Sequence, residues 1–566
     1  MEAGKRNIPD IFNRANRLKI PYFQRSYVWQ EEQWERFLDD MRYASHTNTP
    51  YFMGSVILKQ EETSVADDNI RTIIDGQQRL TTVVLFFKAL FEKNSDTKRF
   101  SEIFTHFSGR IILDHNYLDK PVFEKIFNGQ DLDPREQKGR INSCYQYFLK
   151  NIEQGEIDPN RLLSNILFVG IDLQHKEDEQ QIFDTINSLG VRLTTSELLK
   201  NYLFSESALD SFESNWRGIF EKDDDIKDYW DQEVTSGRNI RNNIDLFLQS
   251  YLFIKIQDPD INVNSDDKER FFKVDSVFNS YKELMAKYNL GKDTIIRELK
   301  EYAAIYKNVI NPKIVEQDID KESSVQRLNL VMFGLDTATI IPYVLYVAKK
   351  AGETERNNIF RYLEAYLLRR IICNKTTKNY NKFFRSLMNN QVATLENLKE
   401  IVRDSDDSMP SDGELELGFN QSTLTNIQAK GVLYLLELST RSHLNSTKLL
   451  SFAEYSLEHV MPKKWRNNWG EVGLSKEQAD LRDDLLLTLG NLTIITGQLN
   501  STIRDSDWNT KLNGNSKHLG LMTYSQGIEI FSKYLQRVAW NEDCIKERAQ
   551  ELFDLSANKT WNQNLI

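Results

Sequence analysis

The sequence predicts an α+β multidomain protein: an α/β front, a largely helical middle, and a mostly helical back carrying one strand–loop–strand–helix pattern. Three observations carry this reading. Short β-branched runs, Phe52 to Lys59 and Arg71 to Ile74, alternate in the front third with a helical pattern from Leu80 to Leu90. From about Leu198 to Leu450, apolar residues recur at three and four spacing, as in Ile244 to Ile254 and Ile359 to Ile372. A chain of 566 residues also exceeds one compact core, so about two to four domains are expected. The divisions fall at 1–205, 206–420 and 421–566. The polar stretch Arg403 to Glu414, with Pro410 and Gly413, reads as the loop or linker before the last.

Apolar content of 40% and aromatic content of 11% are those of a chain that folds, which excludes wholesale disorder. No repeat, heptad array or low-complexity tract supports a solenoid or a coiled coil. Cys144, Cys373 and Cys544 lie far apart without Cys-x-x-Cys spacing, which fits a reducing compartment. The start MEAGKRNIPDIF has no apolar signal region. The most apolar stretch, Thr339 to Ala348, is too short to cross a bilayer and contains Pro342. A cytoplasmic protein without membrane contact is the expectation.

A net charge of -11 excludes a uniformly basic nucleic-acid coat, so any DNA contact must come from local patches. Two stretches qualify: Arg369, Arg370, Lys375, Lys378, Lys382 and Arg385, and Lys463, Lys464 and Arg466. A solvated helix face accounts better for the first and equally well for the second.

In the front, Thr72 to Thr82 (TIIDGQQRLTT) places a β-branched run, a glycine turn and a helical run in succession. The N–H groups at such a helix start are unsatisfied and partly positive, and Gly76 allows close approach of a phosphate. Arg79 would add a charge-assisted fork, and Asp75 would hold a metal or orient water. Taken alone, the string reads as a helix cap with a surface ion pair. Farther on, Thr194 and Glu197 have capping-box spacing, so a helix start explains them without chemistry.

Upstream stands Ile20 to Trp29 (IPYFQRSYVW), followed at Trp34 by an amphipathic helix, and downstream Phe183 to Gly190 (FDTINSLG). Together with Asp75 to Arg79 these strings resemble the DGQQR domains, a ParB/sulfiredoxin-like α/β fold that binds or hydrolyses nucleoside triphosphates. The resemblance implies that Gln24, Arg25, Asp75, Gly76, Gln77, Gln78 and Arg79 surround the phosphates, with Asp75 and Arg79 taking part in the chemistry. It leaves GTP, UTP, CTP and ATP equally open. No G-x-x-x-x-G-K-[ST] loop offers an ordinary P-loop site. Of Tyr22, Phe23, Tyr27 and Trp29, most read as core rather than as base-stacking platforms.

In the back, Glu458-His459-Val-Met-Pro462 is followed by Leu489 to Asn500 (LGNLTIITGQLN). Hydrolysing a phosphodiester needs a base to activate water and a cation to stabilise the developing charge, and Glu458, His459 and Asn500 are residues of the right types. Glu-His-x-x-Pro alone is a weak signal. With the later asparagines the string resembles the HNH, or ββα-metal, nucleases, although Glu458 stands where Asp is commoner. The resemblance makes His459 the general base, gives Mg²⁺ or Mn²⁺ to Glu458 and Asn500, and has Asn491 orient the histidine loop. Trp508 and Lys511 match an aromatic-x-x-Lys ending, which offers Lys511 to a phosphate, while Lys463, Lys464, Arg369 and Arg370 are further candidates for DNA contact.

The order of the two ends resembles the GmrSD-type modification-dependent restriction endonucleases and the related phosphorothioate-sensing SspE family. That implies a nucleotide-switched enzyme of anti-phage defence that nicks or cuts double-stranded DNA, modified DNA in particular. Two other readings stand beside it: an NTP-gated module that only binds nucleic acid or a partner, and an RNase effector, since ββα-metal sites cleave either polymer. The oligomeric state, a homo-oligomer included, is left open by the sequence.

Overall fold

The computed structural model describes residues 2–61, 69–174, 194–204, 209–236, 239–272, 277–441, 448–469, 474–515, 518–524 and 528–563. The string Phe183 to Gly190 lies outside them. Two compact units emerge, Met1–Glu213 and Ser214–Ile566.

The first unit is built on a six-stranded mixed sheet, β1 (Glu2–Asn7), β2 (Asn16–Lys19), β3 (Tyr51–Gln60), β4 (Asn69–Asp75), β5 (Leu113–Asp114) and β6 (Ile166–Leu173), in the order β1-β6-β3-β4-β2-β5. β3 runs parallel to β6 and antiparallel to β4, and β2 runs parallel to both β4 and β5. The predicted strands Phe52 to Lys59 and Arg71 to Ile74 are the inner parts of β3 and β4. One face of the sheet packs on α1 (Glu31–Thr47) and α2 (Gln77–Lys93). α2 is buried from Gln77 to Phe91 except at Arg79, so it forms the centre of the unit rather than a half-solvated surface helix. On the opposite face, Ile57, Ile171 and Leu173 make a small patch that takes Leu198 from α3 (Thr195–Phe204). α3 begins where the capping box predicts: Glu197 N–H donates to Thr194 Oγ1 at 3.3 Å, and Thr194 N–H donates to Glu197 Oε2 at 2.9 Å.

The second unit is mainly helical. Its expected helices appear as α4 (Asn243–Lys255) and α5 (Glu353–Ile372), each longer than the segment that predicted it. Residues 404–411 do form a loop, between the helices Leu395–Arg403 and Asp412–Gln421. That loop is not a division between compact bodies, because the middle and the back share one core. From α5, the buried Arg369 donates to Trp561 O at 2.9 Å, and Glu364 accepts from Trp561 Nε1 at 2.9 Å. No helix among the described residues is long and apolar enough to cross a membrane.

Candidate functional site

At the front, β4 ends at Asp75 and α2 begins after Gly76, whose φ of 102° belongs to the left-handed region. A Cβ there would stand 2.9 Å from Val56 Cγ2, so both the turn and the packing require glycine. On the neighbouring strand the register shifts between Phe52 and Gly54, and Gly54 (φ 110°) lies under the Arg79 guanidinium. Any side chain at Gly54 would come within 3.1 Å of Arg79 Nη1. Arg79 Nη2 donates to Asp75 Oδ2 at 2.6 Å, and Ser55 Oγ reaches the same oxygen at 3.5 Å. The turn thus gathers Gly54, Ser55, Asp75 and Arg79. Gly54 and Ser55 escaped the sequence reading because a β-bulge on a separate strand leaves no local spacing signal.

The glutamines depart from expectation. Gln77 and Gln78 are buried and bind backbone of the Gln24–Val28 segment. Gln77 Nε2 donates to Arg25 O at 2.6 Å, Gln78 Nε2 donates to Ser26 O at 3.2 Å, and Gln78 Oε1 accepts from Val28 N–H at 2.8 Å. Gln24 Nε2 donates to Ile73 O at 2.8 Å. All three side chains therefore fasten one loop to the strand-turn-helix instead of surrounding a ligand. Behind the loop, Asn116 Nδ2 donates to Arg25 O at 3.2 Å, and Asp119 Oδ2 accepts from Tyr27 N–H at 2.6 Å. The Arg25 guanidinium is part-exposed and lies 3.6 Å from Glu197 Oε1. Tyr27 is core: its hydroxyl meets Thr82 at 2.6 Å and accepts from Trp34 Nε1 at 2.9 Å.

At the back, β7 (Tyr455–His459) and β8 (Leu492–Thr496) form an antiparallel pair with Leu492 opposite His459 and Thr493 opposite Glu458. They are followed by α6 (Gly497–Ile503), capped by Thr496, and α7 (Trp508–Asn513), capped by Asp507. Neighbouring strand residues point to opposite sides, so Glu458 goes inward while His459 stays partly accessible. The buried Glu458 meets the buried Lys511, which also donates to His459 O at 2.8 Å. Burial pushes the Glu458 carboxyl up to about 7 in spite of Lys511, and lowers the ammonium of Lys511. Burial, reinforced by Lys463 and Lys511, pushes His459 down to about 4, so its imidazole is neutral near pH 7. Asn500 Nδ2 donates to Leu457 O at 2.9 Å, which leaves Oδ1 as an acceptor.

Asn491 is fully buried and ties the loop after the histidine, at Met461, to Leu486 and Trp540. Oδ1 accepts from Met461 N–H at 2.9 Å and from Trp540 Nε1 at 3.0 Å, and Nδ2 donates to Met461 O at 2.8 Å and Leu486 O at 2.9 Å. It positions that loop and touches no reacting atom. Sequence reasoning missed Arg548, on α8 (Glu542–Leu555), whose Nη1 donates to Leu489 O, Gly490 O and Leu492 O at 3.0, 2.9 and 2.6 Å. Its distance along the chain hides this clamp from any local pattern.

Three expected DNA contacts are overturned by burial. Lys511 is spent on Glu458 and His459. Arg369 is spent on Asp412, Pro410 O and Trp561 O, and Arg370 on Asp407, Ser408 O and Thr376 O. Arg369 and Arg370 are held by Asp412, Asp407 and backbone carbonyls and Lys511 by Glu458, and all three side chains are buried away from solvent. Lys463 and Lys464 are exposed, while Arg466 pairs with Asp483 at 2.7 Å.

Comparison with known proteins agrees with this two-ended layout. Residues 8–204 match the model of the GmrSD restriction endonuclease N-terminal domain, and residues 409–555 match that of the GmrSD C-terminal domain. No curated protein matches the chain. With both domains present in order, one over the Gly76 turn and one over the strand–strand–helix unit, the chain belongs to the GmrSD family of restriction endonucleases, enzymes that act on DNA.

Proposed function

We propose that the chain is an NTP-regulated, divalent-cation-dependent DNA endonuclease of anti-phage defence, selective for modified DNA. The observation that carries the cutting half is His459: neutral, partly accessible, and locked at the end of β7 by Lys511 on its carbonyl and Asn491 on the following loop. A neutral imidazole accepts the proton of a water whose oxygen attacks phosphorus, while the opposite P–O bond breaks and releases the second DNA end. Mg²⁺ or Mn²⁺ would take Asn500 Oδ1, which keeps a hard oxygen acceptor, and Glu458, whose carboxyl would have to leave Lys511 to reach it. Such a cation would stabilise charge on the phosphate and on the leaving oxygen. Among the described residues no three His, Cys, Asp or Glu side chains converge on one point, so water would complete its shell. Lys463 and Lys464 supply exposed positive charge next to the base.

The front supports the regulatory half. The N-terminus of α2 has no side-chain cap, and Arg79 and Arg25 provide two guanidinium groups for phosphate oxygens. Asp75, held by Arg79 with Ser55 nearby, would orient water or hold the nucleotide's cation. A nucleotide changes cutting to the extent that it binds the cutting-competent and resting arrangements differently.

Plain, glucosyl-hydroxymethylated and phosphorothioated plasmids test both halves when incubated with the protein and Mg²⁺, each with and without GTP, UTP, CTP or ATP. Cleavage of a modified plasmid that responds to one nucleotide in the wild type but not in Arg79→Ala is expected. Cleavage at one rate on all plasmids, with or without nucleotide, would remove the regulatory half.

A further inference from the structure

The capping box at the start of α3 does more than begin a helix. Glu197 uses Oε2 for the cap, accepting from Thr194 N–H at 2.9 Å, and turns Oε1 toward Arg25 Nη1 at 3.6 Å. Arg25 has its backbone carbonyl fixed from two sides, by Gln77 at 2.6 Å and Asn116 at 3.2 Å, so its guanidinium alone is free to turn. The Arg25 and Glu197 side chains are 34% and 19% exposed, which keeps the pair in contact with water and cheap to exchange. Arg79, the other guanidinium given to this site, is held by Asp75 within the strand-turn-helix. Arg25 is instead held by an acid from a separate helix that belongs to the opposite face of the sheet.

We infer that Glu197 is a built-in competitor of the nucleotide's phosphate groups for Arg25, and thereby sets the affinity of the front site. This rests on the reading of that site as a nucleotide site. A triphosphate at the start of α2 offers Arg25 more negative charge than one carboxylate does, so binding transfers the guanidinium from Glu197 to phosphate. The same charge repels Glu197. The acid therefore opposes binding twice, through the pair that must break and through the repulsion that follows. An acidic side chain at a phosphate site would then lower affinity, the reverse of the effect expected of a residue that contacts the ligand favourably.

Glu197→Gln separates this role from the cap, because glutamine at the third helical position makes the same reciprocal bond to Thr194 while carrying no charge. Calorimetric titration of the full chain with each of GTP, UTP, CTP and ATP, in Mg²⁺ and in EDTA, would compare wild type, Glu197→Gln, Arg25→Ala, the double variant and Arg79→Ala. Glu197→Gln should bind roughly three- to tenfold tighter, with an unchanged melting midpoint and a gain that shrinks at high salt. The gain should vanish in the Arg25→Ala background, where no guanidinium is contested. Unchanged or weaker binding by Glu197→Gln, while Arg79→Ala still weakens binding, would overturn the inference and leave the nucleotide site standing. So would a gain that persists without Arg25, or a loss seen only in Mg²⁺, which would make Glu197 a ligand of the nucleotide's cation. If neither wild type nor any variant binds a nucleotide, both the site and the inference fall.

Discussion

The two ends of the chain treat their charged pairs in opposite ways. At the front, Arg79–Asp75 and Arg25–Glu197 are partly open to water, with the two arginine side chains 26% and 34% exposed. At the back, Lys511 and Glu458 are 1% and 6% exposed and their ion pair is closed. Open pairs contribute about 0–1 kcal/mol and exchange readily for the charges of a ligand. A buried pair is costly to exchange, because removing either partner strands the other, and it can hold a strand end in one place. The front's pairs are of the kind that can rearrange if a charged ligand binds. The back is built to keep His459 where it is.

If that contrast is correct, the largest single effect belongs to the group the rigid end presents. His459→Ala should lower DNA cleavage by about 10²- to 10⁴-fold, the usual contribution of a general base, with little change in fold because the side chain is only partly buried. Plasmid nicking by the purified, cation-loaded variant checks this, and wild-type rates would remove His459 from the reaction. Next comes the lock itself. Lys511→Met should cost about 3 kcal/mol, read as a lower urea midpoint, and should also reduce cleavage, since His459 O loses a donor. Adding Glu458→Gln should restore much of the stability without restoring cleavage. A stable Lys511→Met protein would mean that the pair is not structural.

A rigid interior also shows itself in acid. His115 is fully buried in the front unit, its Nε2 is 2.8 Å from Thr81 Oγ1, and burial pushes it down to about 3 from an ordinary 6.5. The unfolded chain takes up a proton on this imidazole below about pH 6.5, whereas the folded chain does so only near pH 3. Stability is therefore intact above pH 6.5 and falls as pH drops toward 3, at up to about 1.4 kcal/mol per pH unit from this group. His115→Gln should flatten that part of the stability–pH curve. An identical acid slope in the variant would assign the loss to other groups.

The sequence made the elements and the outer form of both sites legible because those signals are local. The glycine turn at Gly76, the capping box at Thr194 and the strand–helix succession around Asn491 each depend on residues a few positions apart. What escaped depends on long-range closure. Gln77 and Gln78 sit in the middle of a phosphate-like string, yet their amides face a loop some fifty residues earlier, and nothing in the string says so. Arg369 and Arg370 look like a basic patch until distant acids and carbonyls arrive to bury them. A charged residue's neighbours along the chain do not reveal whether it will be solvated or paired, since that depends on packing at separations of tens of residues.

The same distinction sharpens the smallest expected effect. Lys463 and Lys464 are exposed and follow closely on His459, whereas Arg369 is buried and committed to Asp412, Pro410 and Trp561. If the two lysines meet DNA phosphates, replacing each by alanine should weaken binding uniformly across sequences and reduce the slope of log affinity against log salt by about 1 per residue. Each affinity change should be modest, because one phosphate contact among several is lost and no buried group is stranded. Arg369→Ala should do the opposite, lowering the urea midpoint while leaving the salt slope of the protein that remains folded unchanged. Fluorescence anisotropy with a labelled duplex, measured across a salt series with Ca²⁺ in place of Mg²⁺, separates the two. A salt slope that moves for Arg369→Ala and stays fixed for Lys463→Ala and Lys464→Ala would return the DNA surface to the helical middle and take it away from the strand-strand-helix unit.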